Sequence, residues 1–146
     1  MSGVFRLASV GIGLTAVALL GGCPGAGGGL PDDFTGQYAA VEAQEARALI
    51  DRENGNGDFV ILDVRTPEEF AAGHIAGAIN ICLTCSPPPF EEAIAALDKN
   101  DTYLVYCRSA NRSATAVSIM ARQGFTDIYE LQDGLVDWQA AGLPVE

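Results

Sequence analysis

Residues 59–64 read Phe59-Val-Ile-Leu-Asp-Val64, an apolar run broken by a single carboxylate. A run without polar alternation belongs to a strand covered on both faces, and such strands build parallel sheets with helices packed on either side. Around it, short apolar segments at 38–41, 78–81, 103–106 and 127–131 predict further strands. Helix-period or helix-capped segments at 42–51, 66–70, 90–97, 113–122 and 136–140 fall between and after them. Thr66-Pro-Glu-Glu69 is a capping-box pattern with proline at the first helical position. Strands alternating with helices imply an open α/β domain, whose ligands bind outside the carboxyl ends of the strands.

One strand end carries chemistry. Tyr103-Leu-Val-Tyr106 stops at Cys107, and Arg108-Ser-Ala-Asn-Arg112 leads into a helical run that begins at Ser113. The pattern predicts a six-residue loop, 107–112, between a strand and a helix N-terminus. Successive amides in such a loop bind anions, and the helix dipole adds partial positive charge. Both favour thiolate over thiol, which makes Cys107 a candidate nucleophile. A merely structural cysteine would sit among apolar neighbours. Here Arg108, Ser109, Arg112 and Ser113 surround it in sequence.

The charge balance is strongly acidic, at −11 for 146 residues. That argues against nucleic acid as a partner, because phosphate contacts need lysine and arginine. The first 22 residues contain Arg6 as their only charged residue, followed by an uncharged run from Leu7 to Leu20. The run is too short to span a bilayer and suits a signal peptide. Leu20-Gly-Gly-Cys23 resembles the lipobox of bacterial lipoproteins. The expected organisation is therefore a signal peptide at 1–22, a lipidated Cys23 with a flexible tether at 23–37, and a folded domain at 38–146. This implies a lipid-anchored, extracytoplasmic protein of a bacterial cell envelope.

Three ordered motifs then coincide. Ile61-Leu-Asp-Val-Arg-Thr-Pro-Glu-Glu-Phe70, Gly73-His-Ile-Ala-Gly-Ala-Ile-Asn80 and the Cys107 loop together resemble the rhodanese (thiosulfate sulfurtransferase) family. Leu131-Gln-Asp-Gly-Leu-Val-Asp-Trp138 and Gly142-Leu-Pro144 fit it too. The resemblance implies an open five-stranded parallel sheet with helices on both faces. It implies that Cys107 takes a sulfane sulfur, becomes a persulfide and passes the sulfur on. The donor would be thiosulfate, a polysulfide or a persulfide, and the acceptor a thiol or cyanide. Arg108, Ser109, Ala110, Asn111, Arg112 and Ser113 would cradle the bound group. Asp63 would be a structural hydrogen-bonding group, and Arg65 either a supporting charge or a surface ion pair. His74, the only histidine, would position backbone rather than catalyse. No cofactor or metal is implied, and the domain is expected to act as a monomer.

Two positions depart from the family pattern. Ala110 stands where the loop often has glycine, and a positive φ there would cost alanine on the order of 1 kcal/mol. Asp133-Gly134 replaces the usual glycine pair and could alter one wall of the site. Two other functions share the ingredients. A cysteine-dependent phosphatase or arsenate reductase would need five residues between cysteine and arginine, and this chain has four. A non-catalytic binding module would not need the intact Cys107 loop. Cys82-Leu-Thr-Cys85 remains, as a disulfide, a redox pair or free thiols.

Overall fold

The computed structural model describes residues 29–146. The expected signal run and Cys23 lie outside the described residues. Strands β1 (Gln37–Val41), β2 (Phe59–Asp63), β3 (Ile79–Asn80), β4 (Thr102–Tyr106) and β5 (Asp127–Leu131) form one sheet. Their order is β1-β5-β4-β2-β3 and every pairing is parallel. The helices are α1 (Ala43–Glu53), α2 (Pro67–Ala71), α3 (Phe90–Ala93), α4 (Asn111–Arg122) and α5 (Gly134–Ala140). A 3₁₀ turn, Ile94–Ala96, extends α3. Among the described residues, no helix is long and apolar enough to cross a membrane.

The central strands are apolar on both sides because both sides are covered. On one face α3, its 3₁₀ extension and α4 place Phe90, Ile94, Val117 and Met120 against Leu62, Val64, Tyr103, Val105 and Ile128. On the other, α1 and α5 place Ala46, Leu49, Leu135 and Trp138 against Ile61, Leu104, Tyr106 and Leu131. Each apolar side chain removed from water contributes roughly 1.5–3 kcal/mol, so the two small cores together hold the domain. The Trp138 indole donates to the Pro144 carbonyl at 2.9 Å, which ties the closing Gly-Leu-Pro segment to α5.

Several boundaries differ from the sequence expectation, and α5, for one, starts at Gly134 rather than 136. Residues 29–37 are docked on the domain, where a flexible tether was expected to continue. Leu30 and Phe34 pack against the α3–α4 core, and the Ser118 hydroxyl donates to the Gly29 carbonyl. Helix α4 starts at Asn111, two residues before the expected Ser113. β3 is two residues long, since an edge strand has one neighbour, but pairing continues beyond it from Ile81 N to Asp63 O and from Leu83 N to Val64 O.

Candidate active site

Cys107 follows β4 directly, at the carboxyl end of the central strands, and is 1% exposed. Only Arg108, Ser109 and Ala110 separate it from α4. The connection can be this short because Ala110 takes φ 69°, which turns the chain sharply into the helix. The positive φ puts its strain on a residue that has a Cβ, where the resemblance left open whether φ would be positive.

The loop is held from outside by α5. Leu135 N donates to Cys107 O at 2.9 Å and Val136 N to Arg108 O at 3.1 Å. Those two amides belong to the first turn of α5, where N–H groups lack partners within the helix. The carbonyls of Cys107 and Arg108 are thereby engaged by α5. Among the described residues, none of the N–H groups from Arg108 to Ser113 donates to a protein acceptor. The result is a nest of amides at a helix N-terminus, which attracts an anion. Gly134 makes this contact possible. A Cβ at that position would lie 2.6 Å from Arg108 C and O and from Cys107 O, and its φ is +64°. Asp133 beside it also has positive φ, 58°, so both residues of the Asp-Gly pair turn the chain into α5.

Arg112 departs from its expected place. It lies in the first turn of α4 rather than in the loop, and its guanidinium is occupied. Nη1 donates to Glu69 Oε2 at 2.6 Å and Nη2 to Glu69 Oε1 at 2.8 Å. The Arg112 bond holds the Glu69 carboxyl down to about 2, helped by the Thr66 amide and opposed by burial. Glu69 also closes the expected capping box, accepting from Thr66 N at 3.1 Å while Glu69 N donates to Thr66 Oγ1 at 3.3 Å. Arg112 therefore clips α4 to α2, and its charge reaches Cys107 through space. The side chains of Arg108, Ser109 and Asn111 are exposed.

Asp63 and Arg65 form an ion pair that is buried rather than on the surface, at 0% and 5% exposed. Arg65 Nε and Nη2 both donate to Asp63, and Nη2 also reaches Gly73 O at 2.7 Å. Burial opposes the Arg65 charge, and the Asp63 carboxylate more than offsets this, raising Arg65 above the ordinary arginine range. Asn80 Nδ2 donates to both Asp63 O and Arg65 O, tying β3 to the same corner. His74 stacks on Phe70 at 3.7 Å, and its Nδ1 lies 3.0 Å from Phe70 O.

Sequence reasoning missed the other side of the thiol. Cys107 Sγ donates to Ser113 Oγ at 3.5 Å, and Ser113 Oγ lies 2.7 Å from Glu130 Oε1. Tyr38 OH donates to Glu130 Oε2 at 2.7 Å. Ser113 is fully buried and Glu130 is 5% exposed. The available signal was in Asp127-Ile-Tyr-Glu-Leu131, where Glu130 shares the inward phase of Ile128. A carboxylate on an apolar strand phase requires a partner.

Cys82 and Cys85 are joined by a disulfide, with Cα atoms 5.4 Å apart. It lies in the segment after β3, beyond β2 as seen from Cys107. No group of metal-ligating side chains occurs among the described residues. A hollow of about 390 Å³ beside the loop is lined by Arg65, Glu69, Gly73, Arg108, Leu135 and Val136, but Cys107 itself does not line it. A larger one, about 550 Å³, lies by Phe34 and Thr126 near the opposite strand ends. Cys107 is not among the residues that line it.

Comparison with known proteins agrees with this geometry. The rhodanese-like domain family matches residues 42–141. The chain is 33% identical over 103 residues to thiosulfate sulfurtransferase GlpE of Pseudomonas aeruginosa, covering 70% of this chain and 86% of the relative. It is 37% identical over 102 residues to the HTH-type transcriptional regulator Rv0324 of Mycobacterium tuberculosis, covering 68% of this chain but 43% of that longer protein. The solution structure of the rhodanese-like domain of Anabaena protein Alr3790 superposes with a TM-score of 0.63 at 28% identity, over 73% of this chain and 77% of that one. Residues 42–141 thus place this chain in the rhodanese-like domain family.

Proposed function

We propose that this domain is a sulfurtransferase that carries a sulfane sulfur on Cys107. The observation that carries the reading is the thiol at a strand end beside six amides, Arg108 to Ser113, that have no protein acceptor among the described residues. With thiosulfate, the Cys107 thiolate attacks the terminal sulfur. The sulfur–sulfur bond breaks and sulfite leaves with its electron pair. The resulting Cys107 persulfide keeps its negative charge on the outer sulfur, where the amides stabilise it. Cyanide or a thiolate then attacks that outer sulfur and releases the Cys107 thiolate. No cofactor is needed.

Burial of the thiol supports a slender donor. A sulfur only 1% exposed admits a single terminal sulfur more readily than a phosphate with three oxygens. Arg112, which a phosphatase would turn to its substrate, is engaged by Glu69. We further propose that Cys23 carries the lipid anchor and that the domain works as an extracytoplasmic monomer. In that setting the Cys82–Cys85 disulfide acts as a staple for the segment after β3.

The test is intact-mass analysis after exposure to thiosulfate or polysulfide. The expected product gains one sulfur, loses it to cyanide as thiocyanate, and is absent in Cys107→Ser. Cys107-dependent release of phosphate from an aryl phosphate, with no thiocyanate produced, would overturn the reading.

A further inference from the structure

A chain of hydrogen bonds leads away from the nucleophile into the protein: Cys107 Sγ, Ser113 Oγ, Glu130 and Tyr38, with separations of 3.5, 2.7 and 2.7 Å. Ser113 has one hydroxyl proton and three neighbours that could accept it. They are Glu130 Oε1 at 2.7 Å, Ala110 O at 3.0 Å and, once ionised, Cys107 Sγ at 3.5 Å. Glu130 has no arginine, lysine or histidine partner among the described residues. A carboxylate buried to this degree without a counter-charge is costly, and a second anion two hydrogen bonds away would add to that cost. With thiolate and carboxylate both ionised, the single Ser113 proton cannot serve both.

We propose that Glu130 is the internal proton acceptor for Cys107, acting through Ser113. The Cys107 S–H proton passes to Ser113 Oγ while the Ser113 proton passes to Glu130 Oε1. The S–H bond and the original O–H bond break, and a new Ser113 O–H and a Glu130 O–H form. No electrons leave, and one negative charge moves from Oε1 to Sγ. Afterwards Glu130 donates to Ser113, and Ser113 donates to the thiolate. Each polar hydrogen then has an acceptor, and the buried charge is unchanged.

Every element packed against Glu130 fits this role. β1 brings Tyr38, whose phenol is held protonated by burial and by the Glu130 carboxylate, so it remains a donor. β4 brings the apolar Val105 at the register position of Glu130. α4 brings Ser113, while the neighbouring Arg112 is turned to Glu69 of α2. The loop brings Cys107. Glu130 is a positioning residue here, since it acts on Cys107 only through Ser113.

The proposal rests on Cys107 being the nucleophile, and its test does not depend on sulfur transfer. Alkylation of the full chain by neutral iodoacetamide is followed at the Cys107 peptide between about pH 4 and pH 10, the range in which carboxyl and thiol groups titrate. One proton shared by two coupled groups gives a rate that rises in two steps with a flat stretch between them. Glu130→Gln keeps the shape but accepts no proton. It should leave only the alkaline step and slow alkylation roughly ten-fold or more near neutral pH. Tyr38→Phe removes a donor from Glu130, strengthens it as a base and should raise the flat stretch. Simple structural damage would lower both variants. A Glu130→Gln profile identical to the parent, or a slowing of Tyr38→Phe alongside it, overturns the proposal. A two-step profile without thiocyanate production would retain the relay and remove the sulfurtransferase reading.

Discussion

The two flanks of Cys107 are built from different chemistry. On the β2 side, Asp63, Arg65, Glu69 and Arg112 form a lattice in which each carboxylate has a cation. On the β5 side, Ser113, Glu130 and Tyr38 form a chain of hydroxyls around a carboxylate that has none. Bidentate ion pairs hold elements in place and leave their protons fixed. A hydroxyl chain does the reverse, because each O–H can point either way. The first flank gives the loop its position, and the second gives the thiol a route for its proton.

The comparison is tested most severely at Asp63. Asp63→Ala would leave Arg65 buried without its partner, and breaking such a pair costs about 3–5 kcal/mol. Chemical denaturation should show a loss of that size, with strand-end contacts to Gly73 and Asn80 disrupted. Serine at Glu130's contact, tested through Ser113→Ala, should cost far less stability while changing how alkylation of Cys107 depends on pH. If Asp63→Ala were nearly neutral, the β2 flank would not be the scaffold described.

Gly134→Ala acts on both flanks, because α5 holds the loop they share. The added Cβ would meet backbone at 2.6 Å and occupy a positive φ. Backbone cannot yield as a side-chain tip does, so overpacking and strain together should cost roughly 2–4 kcal/mol. Sulfur transfer should fall more than the loss of folded protein explains, since the displaced carbonyls are those of Cys107 and Arg108.

How legible these features were in the sequence depended on their range. The strands could be read because Phe59–Asp63 and Thr102–Tyr106 are covered on both faces and therefore apolar throughout. The positive φ at Ala110 was legible only through the family resemblance, in which glycine often holds that position. The start of α4 was placed two residues late because Asn111 and Arg112 are polar and interrupt no apolar period. The partners were invisible for a different reason. Glu69 is 43 residues from Arg112, Glu130 is 17 from Ser113, and Tyr38 is 92 from Glu130. Side-chain pairs at those separations are decided by strand order, here β1-β5-β4.

The Arg112–Glu69 clip should have a smaller effect than either core position. Both side chains are about a third exposed, at 27% and 31%, and a pair in such a place contributes about 0–1 kcal/mol. Glu69 titrates at about 2 in the folded protein, below its ordinary value, with the Arg112 bond as the main cause. Because the folded value is depressed, the contribution is complete above the unfolded carboxyl range. It is lost as pH falls from about 4.5 towards 2. Glu69→Gln should therefore narrow the gap in stability between neutral and acid conditions, and removing the α2 clip should loosen donor binding a few-fold. An unchanged acid limb would show that another carboxylate controls it.

The smallest effect should come from Ala110→Gly, and its sign decides how the loop is held. Alanine at φ 69° carries left-handed strain of about 1–2 kcal/mol, which glycine removes. Glycine also gains freedom in the unfolded chain, which costs about 0.4–1 kcal/mol. The difference favours glycine slightly, so thermal unfolding should move up by a degree or a few. Its effect on the two flanks should differ. Glu69 and Arg112 face each other across α2 and α4 and do not depend on this residue. Ser113 Oγ also contacts Ala110 O at 3.0 Å, so a relaxed carbonyl would change how the Ser113 proton is shared with Glu130. Ala110→Gly should thus leave the acid limb of stability untouched and alter the flat stretch of the alkylation profile. A change in the acid limb instead would mean that the two flanks are coupled through the loop.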